Sequence, residues 1–376
     1  MIVDFYFVLL NAIIAINAQS FEYNTEVKSC VTKINTEGEC VPYYLCQNGK
    51  IITDGSGLFD TRTVGCTDYF EECCEPDNQH TVEESLTVKR NATYEPVCGK
   101  RNSEGLLLES LTDSIQGESQ YGEFPWMAAL LEKQSISESF EKSYKCGGSL
   151  ISKNVVLTAA HCVKGKNPED IVVRFGEWDS EKDYELFKHA DHDVDKIVMH
   201  EKFYAPAVHN DIALLFLTTD VKFAETIDTI CMPSQDQPID LTRCFATGWG
   251  KNKFGNDEDD KEHPSMPKIL KKIELPTLHH DECQTKMRNT RLGRRFILHD
   301  SFMCAGGEEG IDTCKGDGGS PLVCPVAGEE DKYYQAGIVA WGIGCGGKDV
   351  PGIYVNVAKF AGWINEQIAL NDFDSN

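Results

Sequence analysis

Three segments of this 376-residue chain bring together residue types that can carry nucleophilic catalysis. A histidine closes a run of small and apolar residues, Leu157-Thr158-Ala159-Ala160-His161-Cys162. An aspartate heads an apolar run, Asn210-Asp211-Ile212-Ala213-Leu214-Leu215. A glycine-rich stretch, Asp312-Thr313-Cys314-Lys315-Gly316-Asp317-Gly318-Gly319-Ser320-Pro321, ends on a serine and a proline. A serine hydroxyl attacks a carbonyl carbon when an imidazole takes its proton and a buried carboxylate orients that imidazole. The chemistry at issue is acyl transfer, and it depends on which residue of the glycine-rich stretch faces the histidine.

The elements that must position these residues are mostly strands. From Leu111 onward, short strand-like runs alternate with Gly and Pro punctuation: Val155–Ala159, Ile171–Phe175, Lys196–Met199, Ile212–Leu217, Tyr333–Trp341 and Ile353–Val357. Such spacing predicts a β-barrel or sandwich. Only the tail, Lys359 to Leu370, has helical spacing, with Phe360, Ile364 and Ile368 four apart. No internal repeat is visible, and no internal stretch approaches the roughly 20 apolar residues of a membrane span.

The sixteen cysteines fall into two sets. Cys30, Cys40, Cys46, Cys66, Cys73 and Cys74 crowd into a segment too short to bury much core, so disulfides must close it; spacing alone leaves 15 connectivities open. Between the two sets, Glu75 to Pro96 is polar and charged without an apolar period, and reads as a linker. It holds the dibasic pair Lys89-Arg90, readable as a processing site at Arg90 or as a solvated pair, and the sequon Asn91-Ala92-Thr93, a glycosylation acceptor at Asn91. An even, high cysteine count points to an oxidising, extracellular compartment. Phe5 to Ile16 is nearly all apolar and Ala18 offers a signal-peptidase site, although the preceding residues carry Asp4 and no Lys or Arg. Residues 1–18 are therefore expected to be a signal peptide. The net charge of −24 argues against nucleic acid and anionic membrane surfaces as partners.

Taken together, the three segments resemble the histidine, aspartate and nucleophile segments of chymotrypsin-like serine proteases. Cys146-Gly147-Gly148-Ser149-Leu150, Thr247-Gly248-Trp249-Gly250 and Pro351-Gly352-Ile353-Tyr354 support the match. The resemblance implies a double six-stranded β-barrel with a C-terminal helix, His161 as base and Asp211 as its orienting acid. It places the nucleophile position on Gly318, which has no side chain. Ser320 lies two residues on, roughly 6–7 Å along an extended chain, and aligns with a position that is glycine in the family. The oxyanion-hole amides match Gly316 and Gly318 and would not follow such a shift. Losing the nucleophile costs about a millionfold in turnover, so the expected molecule is a pseudo-protease with a degenerate triad of His161, Asp211 and Gly318.

Other family positions are mixed. The activation cut after a basic residue falls on Glu109-Ser110-Leu111-Thr112, with no Lys or Arg, so Asp317 is expected to lack its usual N-terminal partner and the pocket to stay zymogen-like. Asp312 matches the floor of a trypsin-like specificity pocket, and Trp341 and Gly342 match its wall, preceded by Ala340 in place of the usual serine. Glu177 and Glu185 fall where trypsin relatives place a calcium-binding loop, among Asp179, Glu181 and Asp183. Calcium needs six to eight oxygen ligands; no other cofactor is implied.

Residues 29–75 are similar to an arthropod clip domain, through Gly38-Glu39-Cys40-Val41-Pro42-Tyr43-Tyr44-Leu45-Cys46, Asp54-Gly55-Ser56-Gly57-Leu58 and Cys73-Cys74. That resemblance implies the pairs Cys30–Cys73, Cys40–Cys66 and Cys46–Cys74. The protease-like unit, residues 111–371 after a linker of 76–110, then implies Cys146–Cys162, Cys244–Cys324, Cys283–Cys304 and Cys314–Cys345, with Cys98–Cys231 tying the linker to the barrel. Thr290-Arg291-Leu292-Gly293-Arg294-Arg295-Phe296 and Leu298-His299-Asp300-Ser301-Phe302 look like the inactive, prophenoloxidase-activating-factor type of this group. The type implies a haemolymph cofactor or scaffold, processed by an upstream clip-domain protease and partnered with prophenoloxidase in melanisation and innate immunity, with oligomerisation open. A pattern-recognition or adhesion protein binding microbial surfaces is the alternative; a residual trypsin-like endopeptidase is a third. Arg288, Arg291, Arg294 and Arg295 form a basic patch on an acidic chain, either a steering surface for an acidic partner or a solvated face. Val41, Tyr43, Tyr44 and Leu45 are a second docking surface, or packing beneath the clip bridges.

Overall fold

Val155–Thr158, Ala213–Leu217 and Phe302–Gly306 are buried at every position, and strands of that kind survive only inside closed or covered sheets. The computed structural model describes residues 29–31, 37–42, 46–47, 50–51, 71–74, 94–106, 117–136, 139–180, 187–238, 241–251 and 268–374. The chain divides into two compact units at Asn91 and Ala92.

In the first unit, β1 (Ser29–Val31), β2 (Glu37–Pro42) and β5 (Glu71–Cys74) form an antiparallel sheet, and β3 (Cys46–Gln47) pairs with β4 (Lys50–Ile51). Cys30 is bonded to Cys73, and Cys40 and Cys74 are also in disulfides. Cys66, the side chain of Cys46, Tyr43, Tyr44 and Leu45 lie outside what is described, as do residues 1–18, Arg90, Asn91 and Glu109–Thr112.

The second unit holds two closed six-stranded barrels. In the first, β6 (Met127–Ile136), β7 (Ser139–Ser152), β8 (Val155–Thr158), β9 (Ile171–Phe175), β10 (Ala190–Met199) and β11 (Ala213–Leu217) close in the order β10-β11-β8-β7-β6-β9. The second closes as β12-β13-β14-β17-β16-β15, from β12 (Arg243–Gly248), β13 (Lys271–Leu278), β14 (Phe302–Gly306), β15 (Pro321–Pro325), β16 (Tyr333–Trp341) and β17 (Pro351–Asn356). Closure pairs every edge and leaves one core inside each barrel. Leu150, Val156, Leu157, Leu214 and Leu215 fill the first, and Leu275, Met303, Leu322 and Tyr354 the second. Each such side chain contributes about 1.5–3 kcal/mol of burial.

Among the described residues, three helices lie between or after the strands: α1 (Ala160–Val163), α2 (His280–Arg288) and α3 (Ala361–Asp374). The tail helix begins at Ala361, because Val357–Phe360 forms a 3₁₀ turn that seats Phe360 and Ile364 against the first barrel's core. Helix α2 was not legible in the sequence, since only Cys283 and Met287 of its nine residues are buried. Among the described residues, no helix is long and apolar enough to cross a membrane.

The stretch read as linker ends differently from that reading. Residues 94–106 pack on the second unit: Tyr94 Oη donates to Asp228 Oδ2 at 2.7 Å, and Arg101 Nε to the buried Glu123 at 2.9 Å, its guanidinium lying 4.2 Å from the Phe245 ring centroid. The Cys98–Cys231 disulfide fixes this segment, joining Cys146–Cys162, Cys244–Cys324, Cys283–Cys304 and Cys314–Cys345 within the unit. No cysteine described is free, the state an oxidising compartment maintains.

Candidate functional site

His161 is placed by β8, which runs directly into the single-turn helix α1, and by the Cys146–Cys162 bridge that pins this turn to β7. Asp211 stands just before β11 and is completely buried. It accepts two hydrogen bonds from one residue, from the His161 backbone N–H to Oδ1 at 2.7 Å and from ring Nδ1 to Oδ2 at 2.6 Å. A carboxylate so placed fixes the ring's orientation and leaves Nε2 for the third member.

Nε2 faces Gly318. A Cβ built at residue 318 would lie 2.8 Å from Nε2 and 3.3 Å from Cε1 of the ring. The base and its orienting acid are therefore assembled around a backbone carbon, with no hydroxyl to deprotonate. The carbonyl of Gly318 is held by the Gly147 N–H at 2.9 Å, which ties this turn to β7. Among the described residues, neither the Gly316 nor the Gly318 amide donates a hydrogen bond to the protein.

Ser320 does not take the missing role. It is wholly buried, and its Oγ presses on the backbone of Gly147 so closely that any Cβ there would collide with it; Gly248 is similarly near. No hydrogen bond joins Ser320 to His161, whose ring bonds to Asp211.

Among the described residues, the partners of Asp317 are two backbone N–H groups and a lysine. Oδ1 accepts the Gly250 N–H at 2.8 Å and Oδ2 the Cys314 N–H at 2.9 Å. Lys271 Nζ lies 3.9 Å from Oδ2 and donates to the Lys251 carbonyl at 3.1 Å. Burial lowers the pKa of the Lys271 ammonium, and the Asp317 charge opposes that shift. Gly250 is required here, because a side chain would run into the Asp317 carboxylate. Tyr144, partly buried and with its pKa raised by desolvation, donates to the Gly316 carbonyl at 3.1 Å. Sequence reasoning found neither Lys271 nor Tyr144, since only barrel closure brings them to this turn.

Asp312 Oδ2 accepts the Gly346 N–H at 3.1 Å and Oδ1 is fully enclosed. Burial is the main reason its pKa is raised to about 6. Trp341 ends β16 with its ring edge-on to Phe302 at 5.9 Å, and Gly342 follows, exposed.

Of the residues in the calcium reading, Glu177 and Asp179 are described. Glu177 Oε2 accepts from Arg174 Nη1 at 3.0 Å and lies 3.5 Å from His189 Nδ1. Asp179 is buried, and Glu181, Asp183 and Glu185 lie outside the described residues. Cys146, His161 and Cys162 place ligand atoms close together, but both sulfurs belong to one disulfide, which removes the thiolates a metal would need.

Residues 115–364 match the family model described as Trypsin, and residues 27–75 the one described as Serine protease Clip domain PPAF-2. The chain is 45% identical over 278 residues to Phenoloxidase-activating factor 2 of Galleria mellonella, covering 72% of this chain and 89% of that protein. It is 36% identical over 357 residues to Inactive CLIP domain-containing serine protease A28 of Anopheles gambiae, covering 89% and 90% of the two chains. Inactive CLIP domain-containing serine protease A8 of the same organism is 38% identical over 342 residues, 88% of each. With a clip segment ahead of two trypsin-type barrels, the chain belongs to the clip-domain serine protease homologues.

Proposed function

We propose that this protein is a secreted, non-catalytic member of its family that acts as a cofactor or scaffold when prophenoloxidase is activated in melanisation and innate immunity. One observation carries the reading: an intact His161–Asp211 pair faces the bare Cα of Gly318, so the fold is kept while the attacking group is gone. Without a nucleophile, turnover falls about a millionfold, and what remains of such a site is binding. The names of the relatives, one a phenoloxidase-activating factor and two inactive clip-domain proteins, support the same reading. The prophenoloxidase partner, the upstream clip-domain protease that processes this chain, and its location in haemolymph are parts of this proposal.

The test is reconstitution. Purified chain, prophenoloxidase and an activating clip-domain protease are combined, with N-terminal sequencing of products and measurement of phenoloxidase activity. The reading expects more phenoloxidase activity with the chain than with protease alone, and no peptidase activity from the chain itself. Equal activity with and without the chain would sink it, and selective binding to bacterial or fungal cell walls in the same preparation would favour a recognition role.

A further inference from the structure

Between α2 and β14 the chain makes two tight turns, closed by hydrogen bonds from the Gly293 N–H to the Thr290 carbonyl and from the Phe296 N–H to the Gly293 carbonyl, both at 3.1 Å. Arg288 Nε donates to the Phe296 carbonyl at 2.8 Å, and Gln284 Oε1 accepts the Leu298 N–H at 3.0 Å. Leu292 and Phe296 turn inward onto Cys283, Met287 and Leu298, with Phe296 edge-on to Trp341 at 6.3 Å. Folding those two inward sends Arg291, Arg294 and Arg295 outward into solvent. Ile297 goes with them at 74% exposure, the largest value among the exposed large apolar side chains described.

These arginines stand apart in this molecule. Four of the chain's nine arginines fall between Arg288 and Arg295, although acids exceed bases by 24. Arg101, Arg174 and Arg243 are each bonded to a carboxylate, Glu123, Asp191 and Glu308 respectively. Arg291, Arg294 and Arg295 hold none among the described residues. Guanidinium groups without carboxylates among the described residues, on turns held by backbone bonds and a packed underside, are preorganised to meet acids on another molecule.

We propose that the loop 290–297 is a docking surface for an acidic protein. Arginine binds carboxylates through two parallel N–H donors and is enriched among interface hot spots. Ile297 adds an apolar contact at the edge of the basic cluster, which suits a protein surface better than a sulfated polysaccharide. Because Phe296 rests edge-on against Trp341, a partner seated on the loop also comes close to the end of β16. The acidic chemistry of the partner follows from the loop alone; its identity as prophenoloxidase rests on the cofactor reading above.

The experiment compares the full chain with R291E/R294E/R295E and with K164E/K202E/K222E, a reversal of the same net charge at exposed lysines elsewhere. Melting temperature and circular dichroism verify that each variant is folded, and I297S supplies a variant that leaves charge unchanged. Association is measured by surface plasmon resonance at two salt concentrations, against prophenoloxidase, a Glu-rich peptide carrying leucines, and heparin. The proposal expects the loop reversal to slow association with the peptide and prophenoloxidase at least tenfold at low salt and to flatten the salt dependence. I297S should speed dissociation, and the lysine control should change association less than threefold. Peptide binding that needs the loop, without any prophenoloxidase binding, would keep the docking surface and reject the cofactor reading. Prophenoloxidase binding untouched by the loop reversal would do the opposite. Loop-dependent binding to heparin alone, or no binding to any probe, would overturn the docking proposal.

Discussion

Replacing Gly318 by serine returns the missing hydroxyl, yet the geometry predicts an incomplete enzyme. A nucleophile's oxygen must sit about 2.6–3.2 Å from the accepting imidazole nitrogen. Here Nε2 lies 2.8 Å from where the Cβ itself would be, so the ring occupies the space that a serine oxygen requires. Ordinary van der Waals contact for a Cβ starts at 3.4 Å, so His161 must retreat by several tenths of an ångström. Asp211 resists, because it holds both the ring and the backbone N–H of His161. A displacement near 1 Å costs on the order of a hundredfold in rate. Of the roughly millionfold lost with the nucleophile, Gly318→Ser should thus recover about ten-thousandfold. The assay pairs hydrolysis of Lys and Arg esters with labelling by a serine-directed phosphonate, using H161A/G318S as the background. G318S activity within tenfold of an active clip-domain protease would refute the argument. Adding S320A should change nothing, since the Ser320 hydroxyl faces Gly147 and does not bond to His161.

Three further outcomes are expected. Lys271→Met leaves the Asp317 carboxylate buried beside backbone donors only, and should cost about 2–4 kcal/mol in urea unfolding; K271M/D317N should regain part of it, and a neutral K271M would count against the pair. Asp312 holds its proton up to about pH 6 when folded but loses it near pH 3.8 when unfolded, so its contribution to stability falls as pH rises through that window. Asp312→Asn should therefore raise stability at pH 7.5 by up to about 3 kcal/mol and have little effect at pH 4, and an equal loss at both would contradict the assignment. All ten cysteines from Cys98 onward pair among themselves, so no disulfide crosses Asn91. A cut after Arg90 should give two fragments on a non-reducing gel, whereas a cut at Leu111 should leave one band until reduction.

Much of the fold was legible because barrel strands are short, apolar and punctuated. Ile171–Phe175 and Tyr333–Trp341 run between the residues the pattern gave. The first half of β10 was hidden, since Ala190 to Asp193 is polar and at most half-buried and is held by backbone pairing to β9. The chemistry around His161 could be read from motifs because its parts are local runs of unusual composition. Lys271 could not: its contact with Asp317 exists only once β13 has joined the second barrel. The ion pair between Glu177 and Arg174, three residues earlier, was equally hidden, since position alone does not say which carboxylate a guanidinium meets.

The most direct test of the central claim uses one sample for two readings. The processed chain is exposed to a serine-directed fluorophosphonate, then added to prophenoloxidase and its activating protease. The account predicts no covalent label on the chain and undiminished promotion of phenoloxidase activity. Labelling of the chain, with promotion lost in proportion, would mean that it works by cutting.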